Sequence, residues 1–215
     1  MAFAPYMTAA LSGATRRQLS HWRRTDGSSG AVLVPEVSAF RPILYSFRDV
    51  VALRTCVFLR KDSSLQRIRR AIANLRSLGE LDHLSEYKLV SDNDSIVLVK
   101  DESAVDLVKR SGQYVMAEMS EVLRPFVNKS NIEIPALFRP RDRIAVSPEI
   151  RSGHPVIAGT RVPYEKVAEL LQDGVPMESV HDYYPAVDAA AAQDAYEFAQ
   201  YVDIWRDQRR QQGAA

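Results

Sequence analysis

The chain has 215 residues, 46% of them hydrophobic, enough to bury a sizeable core and to exclude disorder as a description of the whole. No apolar run reaches the roughly 18 residues of a membrane-spanning helix, and the N-terminal six residues have neither the basic region nor the apolar stretch of a signal peptide, which predicts a soluble, cytoplasmic protein with no membrane partner. The net charge of +1 conceals a division: residues 1–79 carry 13 Lys or Arg against 4 Asp or Glu, whereas residues 80–215 carry 15 against 23. Clustered cations are what phosphate neutralisation demands, so the division predicts a nucleic-acid-binding head on an acidic body, or two parts that pair with each other. Cys56 is the only cysteine, which excludes an intrachain disulfide and a multi-cysteine zinc site.

Residues 7–11 form helix readily, Ser12-Gly13 signals a turn, and a second helix is expected over residues 15–24, with Thr15 as its N-cap and Gln18 completing a capping-box spacing. Leu19 and Trp22 lie three apart on its inward face, which leaves Arg16, Arg17, Ser20, His21, Arg23 and Arg24 elsewhere. Two short apolar runs, Val32-Leu33-Val34 and Ile43-Leu44-Tyr45, then suggest a hairpin wing. Ser46 caps a third helix and Ser64 begins a fourth that ends at Gly79.

This order resembles the winged helix-turn-helix of the MerR family over about the first 75 residues. The resemblance rests on Thr15-Arg-Arg-Gln-Leu19-Ser-His-Trp22, in the place of a recognition helix, and on Leu44-Tyr45-Ser46-Phe47-Arg48-Asp49-Val50-Val51-Ala52-Leu53, the step out of the wing. The family's long dimerising helix does not follow, so its mode of pairing is not carried over. Insertion of that helix into the major groove predicts Arg16, Arg17 and Gln18 as base readers, with His21, Arg23 and Arg24 on phosphates and Arg41 or Tyr45 assisting from the wing.

In the middle, residues 87–90 and 96–99 flank Asp92-Asn-Asp-Ser95 as a hairpin. A helix is expected over residues 103–110, a third strand over 113–117 and a helix over 120–127, followed by a Pro- and charge-rich linker.

The C-terminal part contains Gly153-His-Pro-Val-Ile-Ala-Gly-Thr-Arg161-Val-Pro163 before three helices, with Gly174 ending the first, Pro176 opening the second and Asp188 capping the third. It resembles a small bacterial domain of unknown function found in VapB-type antitoxins, whose hallmark positions are met by Gly153, Pro155, Ile157, Gly159, Thr160, Arg161 and Pro163. With the MerR-like head, the chain resembles a VapB-type antitoxin of a type II toxin-antitoxin system. That implies binding to its own operator DNA and neutralisation of a VapC-type toxin, a PIN-domain ribonuclease. The alternative is a MerR-like transcriptional regulator whose residues 80–215 sense a small molecule.

No catalytic constellation is visible: His21, His83, His154 and His181 are not spaced as a metal pair, and neither a metal nor a cofactor is expected. The chain is therefore expected not to be an enzyme. Residues 145–205 hold three basic residues against ten acidic ones, which disfavours a second DNA reader there. A homodimer is expected through Val156, Ile157, Leu170, Leu171, Tyr183, Tyr184 and Phe198. For the toxin, whose implied active site is a carboxylate cluster, Trp205 would anchor the last helix while Arg206, Arg209 or Arg210 occupied the metal position. Equally, those arginines only complement the helix dipole.

The chain thus reads as mainly α with small β elements. It divides into an N-terminal winged helix-turn-helix (1–79), a small α+β middle domain (80–130), a linker (131–144) and a C-terminal three-helix domain with its terminal helix (145–215).

Overall fold

The computed structural model describes residues 2–24, 30–77, 88–92, 95–100, 103–106 and 119–207. Helix α1 (Pro5–Ser12) begins on a proline, whose missing N–H would have been unpaired in the first turn, and ends at Gly13, which takes φ 77° and returns its N–H to Ala9 O at 2.8 Å. Two residues later α2 (Arg16–Trp22) starts on the predicted capping box: Thr15 Oγ1 accepts from Gln18 N at 3.1 Å and Gln18 Oε1 accepts from Thr15 N at 2.8 Å. Leu19 and Trp22 are buried, as their spacing requires.

The wing differs from expectation. Val32 and Leu33 both donate to the Trp22 carbonyl, and among the described residues the strand-like pairings of residues 30–45 are isolated bridges, Ser38 with Leu44 and Tyr45 with Phe3. Pro35 and Pro42 remove a ladder donor from each arm, so a two-stranded ribbon gives way to a braced loop. Helix α3 (Phe47–Leu59) again opens on a capping box, Ser46 with Asp49, and Asp49 Oδ2 also accepts from Glu36 N at 3.0 Å, fixing the root of the loop to the helix. Helix α4 (Leu65–Ser77) completes the head.

Strands β1 (Lys88–Asp92), β2 (Ser95–Lys100) and β3 (Ser103–Asp106) form an antiparallel meander lying against α3 and α4. The first two are the expected hairpin, with Asp92 opposite Ser95. The third corrects the helix expected from Ser103: residues 103–106 pair back onto β2 from Lys100↔Ser103 to Val97↔Asp106, and ladder bonds to a waiting edge outweigh a local helical preference. Residues 107–110, and the strand expected over 113–117, lie outside the described residues. Helix α5 (Met119–Leu123) stops before Pro125, so Phe126–Val127 are not its last turn but strand β4, paired with β5 (Glu133–Ile134).

Residues 131–144, read as a linker, are packed: Ile134, Leu137 and Ile144 are buried, Leu137 N donates to Leu123 O at 2.9 Å, and β6 (Ile144–Ala145) pairs with β7 (Val156–Ile157). Then come α6 (Tyr164–Gln172), ended by Gly174 at φ 91°, a 3-10 turn from Met177 into α7 (Val180–Tyr183), and α8 (Ala189–Asp207), capped by Asp188 Oδ1 accepting from Ala191 N at 2.7 Å. The fold is mainly α with small antiparallel sheets, as the sequence predicts.

One apolar cluster runs from Phe3 through α1, α3 and β5 to α6 and Trp205. α8 makes this continuity, since it lies against α6 on one side and α1 on the other, and its Phe198, Tyr201 and Trp205 form with Tyr164 of α6 a chain of ring contacts, stacked between Phe198 and Tyr201 and edge-to-face at the other two. Among the described residues no helix is long and apolar enough to cross a membrane.

Candidate nucleic-acid interface

The helix-turn-helix is backed by the rest of the chain at each step. The Arg54 guanidinium on α3 is fully buried and reaches four carbonyls: Leu11 at 2.8 Å, Val122 at 2.5 Å, Arg124 at 2.8 Å and Pro135 at 2.7 Å, with the Phe126 ring 4.9 Å from its centre. Burial lowers its pKa to about 10, which leaves it charged at neutral pH. Asn128 Nδ2 donates to Gly13 O at 3.4 Å and Tyr201 Oη to Ala10 O at 2.9 Å. A Cβ on Gly13 would come within 2.7 Å of Ile134, so the turn between α1 and α2 is seated directly on β5.

What this leaves outward is the basic face of α2. Arg17, His21 and Arg24 are exposed, and with Thr15, Ser20 and Arg60 they line an open groove of about 580 Å³. Arg60 follows the last residue of α3, so the groove has a cation on each wall. The seven-residue α2 is about 10 Å long, and an α-helix, about 10–12 Å across with its side chains, fits a DNA major groove.

The predicted interface residues divide. Arg16 Nη1 donates to the Arg206 carbonyl at 3.3 Å, whereas Gln18, half-buried and with its Oε1 engaged in the cap, lines the groove beside Arg17. Arg23 folds back to the loop, with Nη1 at 3.5 Å from Ala39 O, while Arg24 and Arg41 are exposed. Tyr45 is corrected: it is a core residue whose backbone pairs with Phe3, and burial pushes its hydroxyl up to about 12, so it does not reach a phosphate. Arg60 was missed, because nothing in the sequence marks the residue after α3 as facing α2.

The C-terminal sets also divide. Trp205 is 1% exposed within the chain's own core and is not an anchor for a partner. Arg206 lies with its guanidinium 4.5 Å from the centre of the Tyr6 ring and pairs with Asp203 at 2.9 Å; Arg209 and Arg210 lie outside the described residues. Of the dimer set, Val156, Ile157 and Phe198 are buried in this chain, because β7 already pairs with β6 and α8 already packs on α6 and α1. Leu170, Leu171 and Tyr184 are half-buried, and Tyr183 is exposed.

The hallmark segment is a turn. Gly153 has φ 87° with Phe47 so close that a Cβ would meet its ring at 2.5 Å, and Gly159 has φ 77°. Thr160 Oγ1 donates to Ile157 O at 2.9 Å and accepts from Val162 N at 3.0 Å, and Arg161 projects outward. Cys56 is buried and its thiol is pushed up to about 12, which suits an inert core group rather than a nucleophile. Among the described residues, no three of His, Cys, Asp and Glu are grouped as metal ligands would be.

A family model described as a protein of unknown function (DUF433) matches residues 144–199. An uncharacterized protein, y4eO, of Sinorhizobium fredii (strain NBRC 101917 / NGR234) is 34% identical over 67 residues, which are 31% of this chain and 30% of that protein, so the match spans under a third of the relative's length. The crystal structure of Rv2018 from Mycobacterium tuberculosis is similar with a TM-score of 0.50 over 90% of this chain and 96% of that one. At 20% identity, that likeness concerns the fold alone.

Proposed function

We propose that the chain is a DNA-binding antitoxin of the cytoplasm, acting as a homodimer that represses its own operon and neutralises a VapC-type PIN-domain ribonuclease. The observation that carries the DNA-binding half is the exposed row Arg17, His21 and Arg24 on a helix that buries Leu19 and Trp22 and follows a helix bonded to the body through Leu11 and Ala10. A helix held this rigidly loses little freedom on entering a groove, and its cations replace the counterions of the phosphates they displace. Arg17, near the start of α2, is the base reader; Arg24 and Arg60 sit on phosphates. Arg17→Ala should cost about 1–3 kcal/mol on the preferred site, while Arg24→Ala and Arg60→Ala should weaken all duplexes alike and each flatten the salt slope by about one. Gel shifts on the DNA upstream of the gene, repeated across salt concentrations, decide it. Binding that is indifferent to all three substitutions would remove α2 from the interface.

The antitoxin half rests on the resemblance of the head and the Gly-Thr-Arg segment to VapB-type antitoxins. α8 ends beside the start of α2, with the Arg206 carbonyl accepting from Arg16, and the residues that follow Asp207 include Arg209 and Arg210. Their guanidinium forks match the carboxylates of a PIN-type active site. Cutting the chain after Asp207 keeps Tyr201, Val202 and Trp205 in the core, so the shortened protein should fold, bind DNA normally and lose most of its inhibition of the partner nuclease. Full inhibition at equimolar ratio by the shortened chain would place the toxin-binding surface elsewhere.

A further inference from the structure

The loop between α2 and α3 holds one aromatic ring out in water. Its neck is closed by reciprocal 3.0 Å hydrogen bonds between Ser38 and Leu44, and Ser38 Oγ donates to Phe40 O at 3.0 Å. Asp49 fixes the root of the loop, and Arg23, the residue after α2, reaches the Ala39 carbonyl beside the tip. On this braced backbone the Phe40 side chain is 84% exposed, and Val34 and Val37 are also exposed. Leaving a phenylalanine in water forgoes the favourable free energy of burying its ring. The bracing rules out a slack surface segment as the reason.

We infer that Phe40 is a wedge that enters the minor groove of DNA and inserts between base pairs, next to the major groove that receives α2. The inference deepens the DNA-binding reading and rests on it. The surroundings of the ring select the occupant. Arg41 is the next residue and is exposed, Arg23 is at the neighbouring carbonyl, and Arg24 follows Arg23. Among the described loop residues the acid is Glu36, which is engaged by Arg48 at 3.5 Å and by Ser46 Oγ at 2.6 Å. An apolar ring set among cations fits a polyanion with an apolar stacked interior, which is duplex DNA, better than it fits an apolar protein surface. On this reading the tip, tied to the C-terminal end of α2 through Arg23 and Ala39, meets the groove beside the one that α2 would enter. Apolar wedges there unstack one step and bend the duplex toward the major groove, and an arginine suits the negative potential of a narrow minor groove.

The test uses the full chain and short duplexes tiling the region upstream of its gene, with 2-aminopurine placed at successive positions flanking the α2 site. The wild type should raise the fluorescence at one step, where unstacking relieves quenching, and should bend the duplex in a circular-permutation gel assay. Phe40→Ala should abolish both signals and bind about tenfold more weakly, and Phe40→Trp should restore them. Circular dichroism should be unchanged, since the side chain packs on little. If the wild type binds but Phe40→Ala binds equally and no position brightens, the wedge is wrong and the ring is a protein contact. If the wild type retards none of the duplexes, the wedge falls together with the DNA-binding reading itself.

Discussion

Replacing Arg54 with alanine should lower the free energy of unfolding by about 4 kcal/mol, a large part of the roughly 5–15 kcal/mol that holds an ordinary domain together. The group is a buried charge whose solvation is replaced by four carbonyl oxygens, one from α1, one from α5, one from the residue that follows α5 and one from the residue that follows β5. Alanine would strand those oxygens away from water, and each unpaired buried acceptor costs about 1–3 kcal/mol. Arg54→Lys should recover only a small part, because an ammonium on a flexible stem cannot span the four acceptors that the planar fork reaches. Urea unfolding followed by circular dichroism measures both. An alanine variant within about 1 kcal/mol of the parent would mean that water enters and takes over the four carbonyls.

Gly153→Ala should have the second largest effect, about 3 kcal/mol, from two causes that can be separated. The residue sits at φ 87°, where an L side chain is strained, and a Cβ would lie 2.5 Å from the Phe47 ring. That ring stacks on Phe138 at a centroid distance of 6.2 Å, so it is not free to swing aside. Combining Gly153→Ala with Phe47→Leu should relieve the steric part and leave the backbone part, so the double variant should lose less than the sum of the two single losses. Strict additivity in thermal or urea unfolding would show that the contact contributes nothing.

The features of the fold legible in the sequence were those encoded locally. Thr15 with Gln18, Ser46 and Asp188 marked helix starts, Gly13 and Gly174 marked helix ends, and Asp92 to Ser95 marked a hairpin, because each satisfies backbone groups within a few residues. Features that depend on distant partners were read wrongly. Strand β3 exists because β2 offers an edge, and Val156, Phe198 and Trp205 read as interface residues because an apolar residue looks the same whether its partner is another chain or α1. Arg54 carried a faint signal, a cation between Leu53 and Val57 on an apolar stretch of helix. For the candidate site, the basic character of α2 was plain, but which arginines stay outward was decided by Arg206 and Ala39, neither of which is near them in sequence.

The hydrogen bond from Tyr201 to Ala10 joins residues 191 positions apart, and the helix that carries Tyr201 covers α1 along its length. During synthesis the first helices therefore emerge with an apolar side that has no cover until α8 is made, an interval of roughly 10–40 s at the usual bacterial and eukaryotic elongation rates of about 5–20 residues per second. Residues 1–79 leave the ribosome before the elements that cover them and are among the last to be complete. Release of an incomplete chain would consequently yield an open hydrophobic fragment, a substrate for proteases, rather than a small free-standing DNA reader.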